Sequence, residues 1–174
     1  WKVLMALPES AVAFMRVQME RVRRMSTRKK IVFPEGSDPR VIEAAARLAR
    51  EGVANPILVG QPPAGVPSDI VYVCPKTSPQ TRKYAALFHE RRRARGVTQM
   101  EAAEIAEDPL YFAALMVSAG DADGCVGGAA LTSAQTIRAA LRCIGTAPGV
   151  RLASSCFLMA VPNTQFGHKG LMTF

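Results

Sequence analysis

Two short apolar runs, Ile31-Val32-Phe33 and Pro56-Ile57-Leu58-Val59-Gly60, bracket a helical pattern, and this unit restricts the fold more than any other feature of the chain. After the first run, Ser37 or Asp38 can cap a helix and Pro39 suits its first position. Val41, Ile42, Ala45, Leu48 and Ala49 then fall on one face, and Gly52 stands where a left-handed residue closes the helix. Two buried strands joined by a helix within about 30 residues call for parallel pairing through a right-handed crossover.

The rest of the chain repeats that alternation. A Pro/Gly-rich loop from Gln61 to Ser68 leads to a third strand at Ile70–Val73, followed by a helix over residues 79–95. Thr98 and Glu101 have capping-box spacing and open another helix, and Asp108-Pro109 opens a third. Residues 123–128 read as a strand running into a glycine turn, 132–144 as a helix entered through Thr132 and Ser133, and Leu152–Val161 as a last, longer strand. Ahead of the first strand, Val12, Met15, Met19, Val22 and Met25 recur at helical spacing over 9–25. Strands alternating with helices predict an α/β fold around a largely parallel sheet. At 49% hydrophobic in 174 residues the chain is no disordered segment, and no run of about 18 apolar residues occurs to form a spanning helix.

Charge points to the class of ligand. With 22 basic against 14 acidic residues the chain carries a net +8, which favours anionic partners. The four cysteines, Cys74, Cys125, Cys143 and Cys156, form no CxxC pair, and only two histidines accompany them. They read as buried, reduced thiols of a cytoplasmic protein, with no metal site. Two loops at strand ends are candidate ligand loops: Pro34–Asp38, and the glycine loop from Gly127 to Ser133. In the second, Gly127 and Gly128 allow close approach of an anion, Thr132 and Ser133 offer hydroxyls, and the following helix presents its N-terminus. Read structurally, the same residues make a tight turn and a helix cap. The densest charge is Arg91-Arg92-Arg93-Ala94-Arg95, either a solvated face or a phosphate pocket, with Arg91 and Arg95 sharing one side of a helix. No aromatic residue interleaves these arginines and no reader motif occurs, which argues against nucleic acid. His89 reads as a surface residue, and Asp121 and Asp123 as the end of a helix and the start of a strand.

The order of segments resembles phosphotransacetylases, within the phosphate acetyl/butyryl transferase family. The residues that carry the resemblance are Ile31 to Arg40, Pro56 to Gly60, "RRARGVT" at 92–98, "DPLYFAALM" at 108–116, and "GDADG" at 120–124. The glycine loop through Thr136-Ile137-Arg138 follows, then Gly145 to Pro162 and Phe166-Gly167. The resemblance implies a three-layer α-β-α, isocitrate/isopropylmalate dehydrogenase-like fold. It places an N-terminal α/β domain at 1–148, with a leading helix over 1–27, and the start of a second α/β domain at 149–174.

It also implies transfer of an acetyl group between coenzyme A and inorganic phosphate, by direct attack in a ternary complex, without a metal or prosthetic group. Acetyl-CoA, phosphate and acetyl phosphate would be the partners of a cytoplasmic homodimer that binds neither nucleic acid nor membrane. Arg92 matches the arginine that contacts coenzyme A, and Arg138 the one near the phosphate and thiol end. Gly127, Gly128, Thr132, Ser133 and Thr136 complete the implied substrate-binding set. Gly127, Leu131, Gln135 and Ala139 depart from the family's glycine-loop pattern. The family's catalytic aspartate and serine–arginine pair match nothing before Phe174, so the expectation is a chain lacking the catalytic half. Phosphate butyryltransferase, and a non-catalytic acyl-CoA-sensing module as in malic enzymes, are the alternatives.

Overall fold

A computed structural model describes residues 7–64 and 70–174, so the stretch 65–68 of the expected loop lies outside the described residues. The chain divides into two compact units, one of Thr27–Ala147 and one joining the two ends of the chain.

In the larger unit the strand–helix–strand element forms as the sequence dictates. Strand β1 (Lys30–Phe33) and strand β2 (Asn55–Val59) pair in parallel, with Val32 opposite Ile57. Between them runs helix α2 (Pro39–Arg50), whose N-cap Asp38 accepts the Arg40 N–H. At its other end Gly52 has φ 68°, and the Gly52 and Val53 N–H groups return to Ala49 and Leu48. That is the Schellman closure, which requires a residue comfortable at positive φ. Strand β3 (Val71–Val73) pairs with β2, and the short β4 (Gly124–Cys125) pairs with β1. The order β3-β2-β1-β4 is parallel throughout.

Strand alternation sends side chains to two separate cores. Phe33 and Leu58 pack under α2 with Val41, Ala45 and Ile70. Val32 and Val59 face the opposite side, where α3 (Thr81–Arg92), α4 (Gln99–Glu107), α5 (Pro109–Ser118) and α6 (Ser133–Cys143) contribute Tyr84, Phe88, Ala102, Phe112, Leu115 and Cys143. The result is three layers, helix, sheet and helices. Helix α5 is the most deeply buried, and Phe112 meets Tyr84 edge-on at 4.9 Å between centroids. Both predicted N-terminal signals form: Thr98 and Glu101 make a capping box, and Asp108 accepts from Leu110 and Tyr111.

Two expectations change. The helix over 79–95 stops at Arg92 and tightens into a 3-10 turn, Arg93–Arg95, because Gly96 (φ 83°) turns the chain there. Arg91 and Arg95 therefore do not share one face of a continuous helix. The long strand at 152–161 shrinks to β5 (Leu158–Ala160), since its antiparallel partner β6 (Leu171–Thr173) is itself three residues long.

The smaller unit contains that hairpin and α1 (Glu9–Arg23), tied by the Ser10 hydroxyl donating to the Val161 carbonyl at 3.0 Å. Met19 and Val22 of α1 are half-buried, whereas Val12 and Met15 are exposed. Leu152, Phe157 and Phe174 also stand in solvent. No helix among the described residues is long and apolar enough to cross a membrane.

Candidate functional site

Helix α6 is the element on which the charged residues converge. It begins with Thr132 as N-cap, in a capping box closed by Gln135. Its inner face buries Ala139 and Cys143, which leaves Ile137, Arg138 and Leu141 outward. Arg142, four residues after Arg138 and so on the same side, is locked in place. Its guanidinium donates to the Tyr111 hydroxyl at 3.1 Å and lies over the rings of Phe88 and Tyr111 at 5.2 and 5.4 Å.

The end of α3 meets the end of α6. Arg92 donates from Nε to the Arg142 carbonyl and from its terminal nitrogen to the Leu141 carbonyl, and Arg91 reaches the Ile144 carbonyl. These carbonyls are the ones a helix C-terminus leaves without partners, and cations suit that end of the dipole. Arg92, Arg95, Arg138 and Arg142 thereby line one open cleft of about 560 Å³, with Ile137 and Leu141 as its apolar wall and no acidic residue in its lining. Burial, then the charges of Arg95 and Arg142, lower the pKa of Arg92. The guanidinium groups of Arg95 and Arg138 make no hydrogen bond or ion pair with the other described residues.

Arg92 and Arg138, matched separately in the sequence, thus share one wall of one cleft. The remaining expected residues lie elsewhere. Gly127 borders a second, smaller cavity with Glu35 and Arg40, and Gly128, Thr132, Ser133 and Thr136 line neither cavity. The amide groups of the glycine loop are not open to an external anion either. The N–H groups of Gly128, Ala129, Ala130 and Leu131 all donate to the Glu35 carboxylate at 2.5 to 3.0 Å. Burial opposes charge on Glu35, but the four amides outweigh it and hold the carboxyl below its ordinary pKa. So one candidate loop of the sequence is the ligand of the other.

Asp121 and Asp123 lie in the connection between α5 and β4 and have structural partners: Asp121 accepts from Tyr84 and Lys83, and Asp123 from Lys29 and the Lys30 N–H. The cysteines are less uniform than the sequence suggested. Cys143 is buried, Cys74 and Cys125 are half-buried, and Cys156 is exposed because it precedes the short β5 instead of lying within a strand. Among the described residues no group of three or more His, Cys, Asp or Glu side chains could hold a metal ion. Sequence reasoning missed Arg142, for which the four-residue spacing from Arg138 was a usable signal. It placed Glu35 in a candidate loop but missed its role, because its partners lie some 93 residues away, beyond the reach of any spacing argument.

A four-stranded parallel sheet between helix layers, with an arginine-lined cleft beside α6, defines a three-layer α/β domain. The chain belongs to the phosphate acetyl/butaryl transferase family, whose model matches residues 13–173. It is 40% identical over 156 residues to the phosphate acetyltransferase of Thermoanaerobacterium thermosaccharolyticum, covering 86% of this chain and 48% of that protein. To the phosphate acetyltransferase of Acetivibrio thermocellus it is 39% identical over 171 residues, covering 94% and 51%. The crystal structure of a phosphotransacetylase from Streptococcus pyogenes superposes with a TM-score of 0.81 at 35% identity, covering 89% of this chain and 49% of that one. The chain spans about half the length of these relatives.

Proposed function

We propose that this chain carries the coenzyme A-binding part of an enzyme that exchanges an acetyl group between coenzyme A and inorganic phosphate. The observation that supports this reading is the cleft lined by Arg92, Arg95, Arg138 and Arg142, free of acidic residues and about 560 Å³ in volume. Guanidinium groups bind phosphates through paired N–H donors, and coenzyme A carries three phosphate groups on a long, partly apolar body. Ile137 and Leu141 offer that body a dry wall.

In the reaction a phosphate oxygen attacks the acetyl carbonyl carbon, the carbon–sulfur bond breaks, and the departing thiolate takes a proton. Both substrates are anions, so their approach is opposed by charge, and cations beside them lower that barrier. Arg138, with no competing partner among the described residues, serves the reacting end. Arg92 and Arg95 serve the nucleotide end. The exchange needs no prosthetic group, since it is a single direct acyl transfer between two nucleophiles, and it proceeds in the cytoplasm, where acetyl-CoA and phosphate are abundant. Phosphotransacetylase-like association as a homodimer belongs to the same reading.

Calorimetric titration of the chain with coenzyme A tests it. Binding should weaken as salt rises, and Arg138→Ala and Arg95→Ala should each weaken it by about tenfold, the scale of one lost charge-assisted pair. Coenzyme A affinity unchanged in both variants would overturn the assignment.

A further inference from the structure

The carboxylate of Glu35 does something neither the sequence nor the arginine cleft requires. It stands in the loop after β1 and collects four consecutive backbone N–H groups, Gly128 to Leu131, from the loop that leads into α6. The grip is two-sided: Arg40 donates to the Ala129 carbonyl at 2.7 Å while paired with Asp38 at the start of α2. Close approach of the two loops depends on Gly127, where a Cβ would stand 3.1 Å from Pro34 Cγ. Immediately beyond the gripped residues, Thr132 caps α6. At the far end of that helix, Arg92 closes the carbonyls. The helix is therefore clamped at both ends, and most of the N-terminal clamp is the one carboxylate of Glu35.

We propose that Glu35 is a positioning residue for the arginine cleft: its carboxylate fixes the 128–131 loop and, through it, the start of the helix that carries Arg138 and Arg142. A carboxylate in this place occupies the seat an external oxyanion would take in a nest of backbone amides. The loop is thus an internal strap, and the ligand site is the cleft along α6. Bonds to a charged acceptor are the stronger kind, and four of them converge here. What the strap positions for, coenzyme A, rests on the function proposed above.

The test compares the wild-type chain with Glu35→Ala and Glu35→Gln. Amide hydrogen exchange at 128–131 and in the first turn of α6 should quicken by about tenfold or more in Glu35→Ala, with β1 and β2 unchanged, as for a local opening. Coenzyme A affinity should fall by roughly tenfold, the upper part of the range for residues acting through others. Glu35→Gln should reproduce the loss, because an amide group brings donors to a nest of donors. Sodium formate, small enough to fill the space left in Glu35→Ala, should restore both slow exchange and affinity, a recovery that a generally weakened fold would not show. Unchanged exchange at 128–131, or faster exchange that formate does not reverse, overturns the proposal. So does protection of those amides by inorganic phosphate in the wild-type chain, which would make the loop a ligand site. A wild-type chain that does not bind coenzyme A removes the proposed function and leaves this inference standing or falling on the exchange and formate results alone.

Discussion

Arg92 Nε donates to the backbone carbonyl of Arg142 at 2.9 Å, so a cation from one helix closes the C-terminus of another. The second bond of the same guanidinium goes to the Leu141 carbonyl at 2.8 Å. This geometry gives Arg92 two roles, a cap on α6 and a wall of the cleft, which substitutions can separate. Arg92→Ala loses both, and its unfolding free energy should drop by about 1 to 2 kcal/mol. Arg92→Lys keeps the charge, but a single ammonium cannot reproduce the fork. Its stability should fall between wild type and alanine while coenzyme A binding stays closer to wild type. Urea unfolding alongside calorimetry reads both quantities, and a lysine variant as stable as wild type would show that the fork is not what holds α6.

Gly36 occupies the tightest backbone contact of the two interlocked loops. A Cβ at that position would lie 2.5 Å from the Val59 carbonyl oxygen in β2, an approach no real side chain makes. The backbone there is engaged on both sides: the Gly36 N–H donates to Val59, and the Tyr72 hydroxyl donates to the Gly36 carbonyl at 3.1 Å. Gly36→Ala must push the loop off the strand and should destabilise by about 2 to 3 kcal/mol. Because Glu35 is the next residue, exchange at the 128–131 amides should rise in the same variant. A thermal midpoint within a degree or two of wild type would show that the loop shifts freely.

Much of the larger unit was readable because its signals are local. Asp38, Pro39 and Gly52 mark the two ends of α2 within a few residues of where they act, and the alternation of Val32 and Phe33 states which side of the sheet each faces. The Thr98–Glu101 capping box is equally local. What was not readable is non-local. Nothing around Glu35 names its four amide partners, and nothing in the arginine run names the α6 carbonyls that Arg92 reaches. The strand expected over 152–161 fails for the same reason: its apolar residues suit a strand, but pairing is set by the three-residue partner at Leu171–Thr173. Arg92 and Arg138 could be picked individually, yet only the contact between the ends of α3 and α6 puts them in one cleft.

Acid should loosen the chain over a defined window. The side chain of Arg40 holds the Asp38 carboxyl down to about 2, and Lys83, then Tyr84, lowers Asp121 from its ordinary value. For a carboxylate depressed in the folded state, the stabilisation is complete above the unfolded pKa, near ~3.9 for aspartate, and is lost as pH falls through the folded one. Stability should therefore be flat with respect to these two groups above about pH 5 and decline between about pH 4 and about pH 2. In Asp38→Asn that decline should be shallower, because the amide still caps α2 but no longer titrates. Urea midpoints at a series of pH values check this, and an Asp38→Asn slope equal to wild type would mean that the pairing with Arg40 contributes nothing.

The four thiols should react in an order fixed by exposure and by what surrounds each sulfur. Cys156 is exposed. Cys74 is half-buried, and the hydroxyl of Thr77 followed by the Lys76 N–H lowers its thiol pKa, which raises the thiolate fraction at neutral pH. Burial does the opposite elsewhere, pushing Cys125 up to about 11, with the Glu35 charge adding to the effect, and Cys143 up to about 12. Iodoacetamide at neutral pH, followed by peptide mass spectrometry, should label Cys156 and Cys74 within minutes and leave Cys125 and Cys143 unlabelled until denaturant is added. Glu35→Gln should make Cys125 the next to react, since it removes the neighbouring charge and loosens the loop two residues further on. Labelling of Cys143 as fast as Cys156 in the native chain would contradict the packing of α6 against α5.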